Sequence, residues 1–403
     1  MAEGNAQRII DWLLAGAQAA EASEDLTRLL CEKLTDHGIP LWRVGIFIRT
    51  LHPDVMGRAF IWRPGAAVVV GAANYSIVQT DAYLTSPLAV MFSTSQVVRH
   101  RIADGDGVAA SPFLQELQAE GATDYIAIPL TFTDGSVHAT SWSTKEPGGF
   151  TEGHLALLHA LSGPLSRVCE IRALRRTATN LLDTYVGNRA GSRILAGQIR
   201  RGHTDTLDAV IWLSDMRGFT SLSDKLPPAA VVDVLNSYFD CQVPAILEHG
   251  GEVLKFMGDG LLAIFPVDRS ANDAAEVCAR ALTAARQART SIAKLNDAQP
   301  EDRDRQLRFG LALHIGEVLY GNIGGGNRLD FTCIGPAINL AARIEKLAGQ
   351  LGRTIVASAE FSRHQRAEWE NVGEFSVAGF AARQTLLGLR DETEQAGASP
   401  KIA

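Results

Sequence analysis

No apolar run in this 403-residue sequence approaches the ~18 residues that cross a bilayer, and the opening MAEGNAQRIIDWLL lacks the basic-then-apolar order of a secretory signal. The expectation is a cytoplasmic protein with no membrane partner. Cysteine is scarce: Cys31, Cys169, Cys241, Cys278 and Cys333 are scattered with no CxxC spacing, which argues against both a disulfide framework and a zinc site. Reduced thiols are expected. Clustered positive charge is missing too, since the net charge is −7 and the best basic group, Arg172, Arg175 and Arg176, reads as one solvated helix face. A nucleic-acid partner, which wants clustered Lys and Arg to neutralise phosphates, is therefore disfavoured. What is present is an ordinary globular composition, 46% hydrophobic and 21% charged, at a length that suggests two or three domains.

The chemistry concentrates between Trp212 and Phe265, a stretch opening WLSDMRGFTSLSD and closing GGEVLKFMGDGLLAIF. Ala209 to Leu213 form an apolar run that reads as a buried strand, with Arg217-Gly218 marking the break after it, so Asp215 sits at a strand end. Glu252 to Met257 and Leu261 to Phe265 read as two strands joined by Gly258-Asp259-Gly260, which places Asp259 at a hairpin tip. If these strands share a sheet, two carboxylates converge at one end. That suits a hard cation such as Mg²⁺, which keeps waters and substrate phosphates as its other ligands. The plainer alternative makes Asp215 a helix cap and Asp259 a turn residue.

The elements around this stretch read as strand (Ala209 to Leu213), helix (Pro228 to His249, kinked late by Pro244), hairpin (Glu252 to Phe265), helix (Ala271 to Leu295) and strand (Leu307 to His314). This α+β order, βαββαβ, is that of a ferredoxin-like core. A later helix, Pro336 to Leu347, carries Asn339 and Arg343 four residues apart and therefore on one face.

Four motifs in order, SDMRGFT, EVLKFMGDG, LRFGLALHIGEVLYGNIG and FTCIGPAINLAARIE, resemble the catalytic domain of class III nucleotidyl cyclases over roughly residues 205–390. That family makes cyclic AMP or cyclic GMP from the nucleoside triphosphate. The resemblance implies that Asp215, Asp259 and the Met216 backbone hold two metal ions, Mg²⁺ or Mn²⁺, in each active site. It implies that the backbone around Arg217 to Thr220, including Phe219 and Thr220, cradles phosphate. Arg343 matches the residue that stabilises the transition state and Asn339 the one that orients the ribose. Lys255 matches the adenine-selecting lysine. Thr332 stands where many adenylate cyclases have aspartate, and threonine there resembles the subgroup that includes bicarbonate-responsive soluble cyclases.

The family's active sites span a dimer interface, so one chain holding every matched residue implies a homodimer with two equivalent sites and ATP as substrate. Ala378 stands where relatives often carry a triphosphate-binding lysine and Arg308 lies two residues out of register with the other basic position, which implies either modest ATP affinity or substitution by another residue such as Arg353. The competing readings are a guanylate or dual-specificity cyclase, opposed by Lys255, and a catalytically silent cyclase fold that serves as a sensing or scaffold protein. His314 reads as a strand histidine packed or bonded in place.

Upstream, the pattern predicts a helix over 6–37 ending at His37-Gly38, strands at Trp42 to Arg49, Ala66 to Val70, Tyr125 to Leu130 and Val137 to Ser143, and a helix at Pro112 to Glu120. With YIAIPLTFTDGSVHATSWSTKEPGGFTEGHLALLHAL, this resembles a GAF domain, one sheet flanked by helices, which implies a regulatory small-molecule ligand of open identity. After Thr151, a candidate N-cap, Leu158, Leu161, Leu165 and Val168 recur at helical spacing and read either as a zipper between two copies or as packing on the sheet. The domain reading is a GAF-like sensor over 1–165, a helical linker over 166–204, a cyclase catalytic domain over 205–390 and a flexible tail over 391–403.

Overall fold

The computed structural model describes residues 2–50, 55–268, 273–298, 306–326, 328–365 and 369–390; the tail read over 391–403 lies outside them. The chain divides into two compact units, Met1–Leu181 and Leu182–Ala403. Among the described residues, no helix is long and apolar enough to cross a membrane.

The first unit opens with α1 (Ala2–Leu14) and α2 (Ser23–Asp36), so the single helix expected over 6–37 is two. The break follows from backbone conformation: Gly16, Ala17 and Ala19 all take positive φ, which no helix accommodates. The unit continues as β1 (Arg43–Arg49), β2 (Gly57–Trp62), β3 (Val69–Ala73), α3 (Asp81–Leu84), α4 (Pro87–Thr94), β4 (Val98–His100), α5 (Pro112–Ala119), β5 (Asp124–Thr131), β6 (Val137–Thr144) and α6 (Glu152–Val186). Its six strands form one antiparallel sheet in the order β3-β2-β1-β6-β5-β4. The strand expected at 66–70 begins at Val69, and β2 was not foreseen. On β1, Val44, Ile46 and Ile48 enter the core that the sheet shares with α1, α2 and α6, whereas Phe47 packs on the opposite face. Thr151 Oγ1 accepts from the His154 backbone N–H at 3.2 Å, which starts α6. Leu158, Leu161, Leu165 and Val168 are buried in the same core, so they pack on the sheet and are not free to zip copies together.

Residues 166–204, read as a linker, hold the rest of α6, then α7 (Asn188–Leu195) and a turn. The second unit continues with β7 (Thr204–Met216), α8 (Phe219–Ser223), α9 (Pro228–Asp240), α10 (Val243–Glu248), β8 (Glu252–Met257), β9 (Gly260–Val267), α11 (Ala274–Asp297), β10 (Phe309–Gly325), β11 (Arg328–Ile334), α12 (Pro336–Gln350), β12 (Ile355–Ser358), α13 (Ala359–His364), β13 (Trp369–Phe375) and β14 (Gln384–Leu389). Four strands lie in the order β10-β7-β9-β8, and the hairpin β8–β9 and two crossover helices make this the expected ferredoxin-like core. The sheet extends beyond β10 through β12, β14 and β13, and β11 folds back on β10. The helix expected over 228–249 is broken at Cys241-Gln242, just before Pro244.

Central β7 is covered on both faces. Val210 and Trp212 enter one core, Ala209, Ile211 and Leu213 the other, as the period of two requires. This double cover makes β7 a rigid base for the residues at its end.

Candidate active site

Asp215 is the penultimate residue of β7, paired in register with Gly310 of β10, and Asp259 lies in the turn between β8 and β9. Gly258, with φ +68°, makes that turn. Gly260 lets the turn approach: a Cβ there would stand 3.3 Å from Asp215 Oδ1 and 3.4 Å from the Ser214 carbonyl. Burial, then the Asp259 carboxylate and then Glu345, push the Asp215 carboxyl up to about 6, while Arg217 pulls the other way. The two carboxylates, held together at the strand end, form an oxygen-only donor set with unbalanced negative charge, which fits a hard divalent cation. Among the described residues, no group of three or more His, Cys, Asp or Glu forms a complete cage. Water, phosphate oxygens and backbone would supply the remaining ligands, and Met216 is the adjoining backbone. Phe219 and Thr220 begin α8, a helix of only five residues, behind Gly218 at φ +77°.

Below the carboxylates the strand end is braced by a buried relay. Trp212 Nε1 donates to Ser214 Oγ at 3.3 Å, and Ser214 Oγ donates to Gln242 Oε1 at 2.7 Å. Gln242 sits at the break between α9 and α10, so the break serves to aim a side chain at β7.

Asn339 and Arg343 lie on the exposed face of α12. Glu345, two residues after Arg343, is buried and forms an ion pair with Arg217, Nη1 to Oε1 2.7 Å. Two residues turn an α-helix by about 200°, so Arg343 points away from the side on which its own chain holds Arg217. The structure therefore brings the two aspartates together and turns Arg343 from them.

Lys255 lies on β8 with its Nζ 3.7 Å from Asp330 of β11. Both line a cavity of about 750 Å³, with Glu252, Phe256 and Phe331. Thr332 is 5% exposed, and its hydroxyl has no hydrogen-bond partner. Glu252 accepts from the Tyr320 hydroxyl at 2.7 Å. Arg353, weighed as a triphosphate ligand, is committed elsewhere: it pairs with Glu370 at 2.6 Å and donates to the Leu389 carbonyl. Arg308 is exposed, and its carbonyl accepts from the Arg217 backbone N–H at 2.7 Å. His314 is buried with Nδ1 2.8 Å from Ser358 Oγ, the packed role expected of it. Sequence reasoning missed Glu345, Asp330 and Gln242. The signal for Glu345 was a carboxylate inside the apolar stripe Ala337, Ala341, Ile344, Ala348.

The family model described as the adenylate and guanylate cyclase catalytic domain matches residues 203–388. Residues 203–388 are a cyclase catalytic domain. An adenylate cyclase of Anabaena cylindrica is 33% identical over 170 residues, 41% of this chain and 32% of that protein. The chain thus spans about a third of the length of the curated relatives it matches first. Among solved structures, a bacterial light-regulated adenylyl cyclase matches at 27% identity and TM-score 0.41, over 46% of this chain and 92% of that one. The guanylyl cyclase Cya2 matches at 28% identity and TM-score 0.40, over 46% and 92%. The cyclase domain holds its carboxylate pair where the central strand and the β8–β9 turn meet.

Proposed function

We propose that the chain is an adenylate cyclase that works as a homodimer under the control of its N-terminal unit. The observation that carries the reading is the convergence of Asp215 and Asp259. In the reaction the ribose 3′-oxygen bonds to the α-phosphorus, the bond from that phosphorus to the α,β-bridging oxygen breaks, pyrophosphate leaves and the hydroxyl proton is released. Divalent cations held by Asp215 and Asp259 would supply the Lewis acidity that this attack needs. Arg343 stabilises charge on the transferring phosphorus, and Asn339 fixes the ribose. Lys255 donates to adenine N1, and the unpartnered Thr332 hydroxyl accepts from the adenine amine. The outward aim of Arg343 supports a site completed by a second chain.

A largely apolar cavity of about 220 Å³, lined by Phe47, Ala59, Tyr83, Leu88 and Phe92, supports the reading of the N-terminal unit as a GAF-like small-molecule sensor. The full-length protein is expected to form cyclic AMP from ATP with Mg²⁺ or Mn²⁺, resolved chromatographically. Asp259→Ala should lower turnover at least about a hundredfold, a barrier rise of ~2.7 kcal/mol. Equal cyclic GMP from GTP would overturn the base assignment, and no cyclic product from either nucleotide would overturn the catalytic one.

A further inference from the structure

Arg217 stands two residues beyond Asp215, with its guanidinium laid over Gly310 and Gly349 where neither presents a side chain. A Cβ on Gly310 would fall 1.6 Å from Arg217 Nη2, and one on Gly349 2.8 Å from Nη1. There Nη1 meets Glu345 Oε1 at 2.7 Å, and Nη2 donates to the Glu345 backbone carbonyl at 3.2 Å. Glu345 is 5% exposed and packed on the inner face of α12. The guanidinium is therefore fixed to both the side chain and the backbone of that helix. Its own backbone N–H donates to the carbonyl of Arg308, the residue just before β10.

A buried ion pair is a poor stabiliser, because apolar residues of similar volume pack as well or better, whereas removing one partner alone is costly. What such a pair adds here is geometry. It joins the end of β7, where Asp215 sits, to the helix whose outer face carries Asn339 and Arg343.

We propose that Arg217 and Glu345 are a positioning pair that sets Asp215 and α12 in one relation, so that cation binding at Asp215 and the aim of Arg343 are established together. This rests on the cyclase reading above. In the homodimer of that reading, Asp215 and Arg343 of one chain serve different nucleotides, so the pair is a link between the two sites.

The test uses the full-length protein with Mn²⁺ and an ATP analogue whose α,β-bridging oxygen is methylene. Bound Mn²⁺ is read by electron paramagnetic resonance, beside thermal melting and turnover of ATP. Positioning predicts that Glu345→Gln and Arg217→Gln each weaken Mn²⁺ binding about tenfold, ~1.4 kcal/mol, and each lower turnover at saturating Mn²⁺. A pure charge effect predicts opposite directions: Glu345→Gln leaves a cation beside the site and weakens Mn²⁺, while Arg217→Gln leaves an anion and tightens it. Opposite directions would overturn the proposal. So would a lowered melting point with unchanged Mn²⁺ binding, or wild-type turnover once Mn²⁺ saturates. If a glutamine variant does not fold, Glu345→Asp and Arg217→Lys replace them, with the same direction and smaller size expected. Asp259→Ala separates the two readings: equal Mn²⁺ binding by it and the wild type removes the metal assignment itself, whereas a loss there with none in the pair variants removes only the positioning role.

Discussion

At Thr332 the cyclase domain keeps a hydroxyl inside the fold with nothing to bond. A buried polar group in that state costs about 1–3 kcal/mol relative to a satisfied one, and folding alone gives no reason to keep it. A ligand that donates to the hydroxyl would repair the deficit on binding. Thr332→Val retains the shape and removes the hydroxyl, so the melting temperature should hold or rise, by no more than the equivalent of ~1–2 kcal/mol. The KM for ATP should rise several-fold over the same change. A fall in melting temperature with an unchanged KM would make Thr332 a structural residue and remove it from the base site. Lys255 is a different case, because Asp330 already meets it at 3.7 Å in the free chain, and in the proposed site a base would have to compete with that exposed carboxylate.

At the scale of elements, α6 has two parts with different consequences. Leu158 to Val168 are spent on the core of the first unit, but the helix continues, and Ile171, Leu174, Ala178, Leu181 and Tyr185 repeat at three and four residues. Leu174 is 64% and Tyr185 80% exposed on this second seam. The spacing is that of paired parallel helices. Leu161→Ala should therefore destabilise the first unit by about 2–4 kcal/mol, as large-to-small core changes do, with no direct effect on self-association. Leu174→Glu should leave melting within ~0.5 kcal/mol and weaken the proposed dimer, read by sedimentation. The reverse pattern would return the zipper to Leu158–Val168.

The sequence made the first part of α6 visible as a stripe but not its partner, since periodicity reports a buried face and not what buries it. The β8–β9 hairpin, α5, α11 and α12 were legible for the same local reasons, strong periods bounded by Gly, Pro or Asp. Others were not. β2 reads GRAFIW, with small and basic residues among its apolar ones, and β10 runs 17 residues through Gly316 and Gly321, which on paper look like breaks. Pairing with β7 over Phe309–Gly321, and with β12 and β11 on the other side, holds β10 extended. The convergence of Asp215 and Asp259 was legible because each ends an apolar run at a turn. The Arg217–Glu345 pair was not, because it closes over 128 residues through two glycines whose only signal is the side chain they lack.

For the molecule as a whole, the direction of Arg343 decides what one chain can do. α12 holds Glu345 inward to Arg217, and the helical turn then sends Arg343 to the exposed face. In the proposed twofold dimer each carboxylate pair would take the arginine of the other chain. In a mixture of Asp259→Ala and Arg343→Ala proteins, each inactive by itself, half of randomly paired dimers are hybrids. Every hybrid contains one site with both defects and one with neither. Activity should therefore return to about a quarter of the wild-type rate per chain after the mixed chains are allowed to exchange. A mixture that stays inactive while sedimentation or mass spectrometry shows hybrids would place Arg343 and the aspartates in one chain's site.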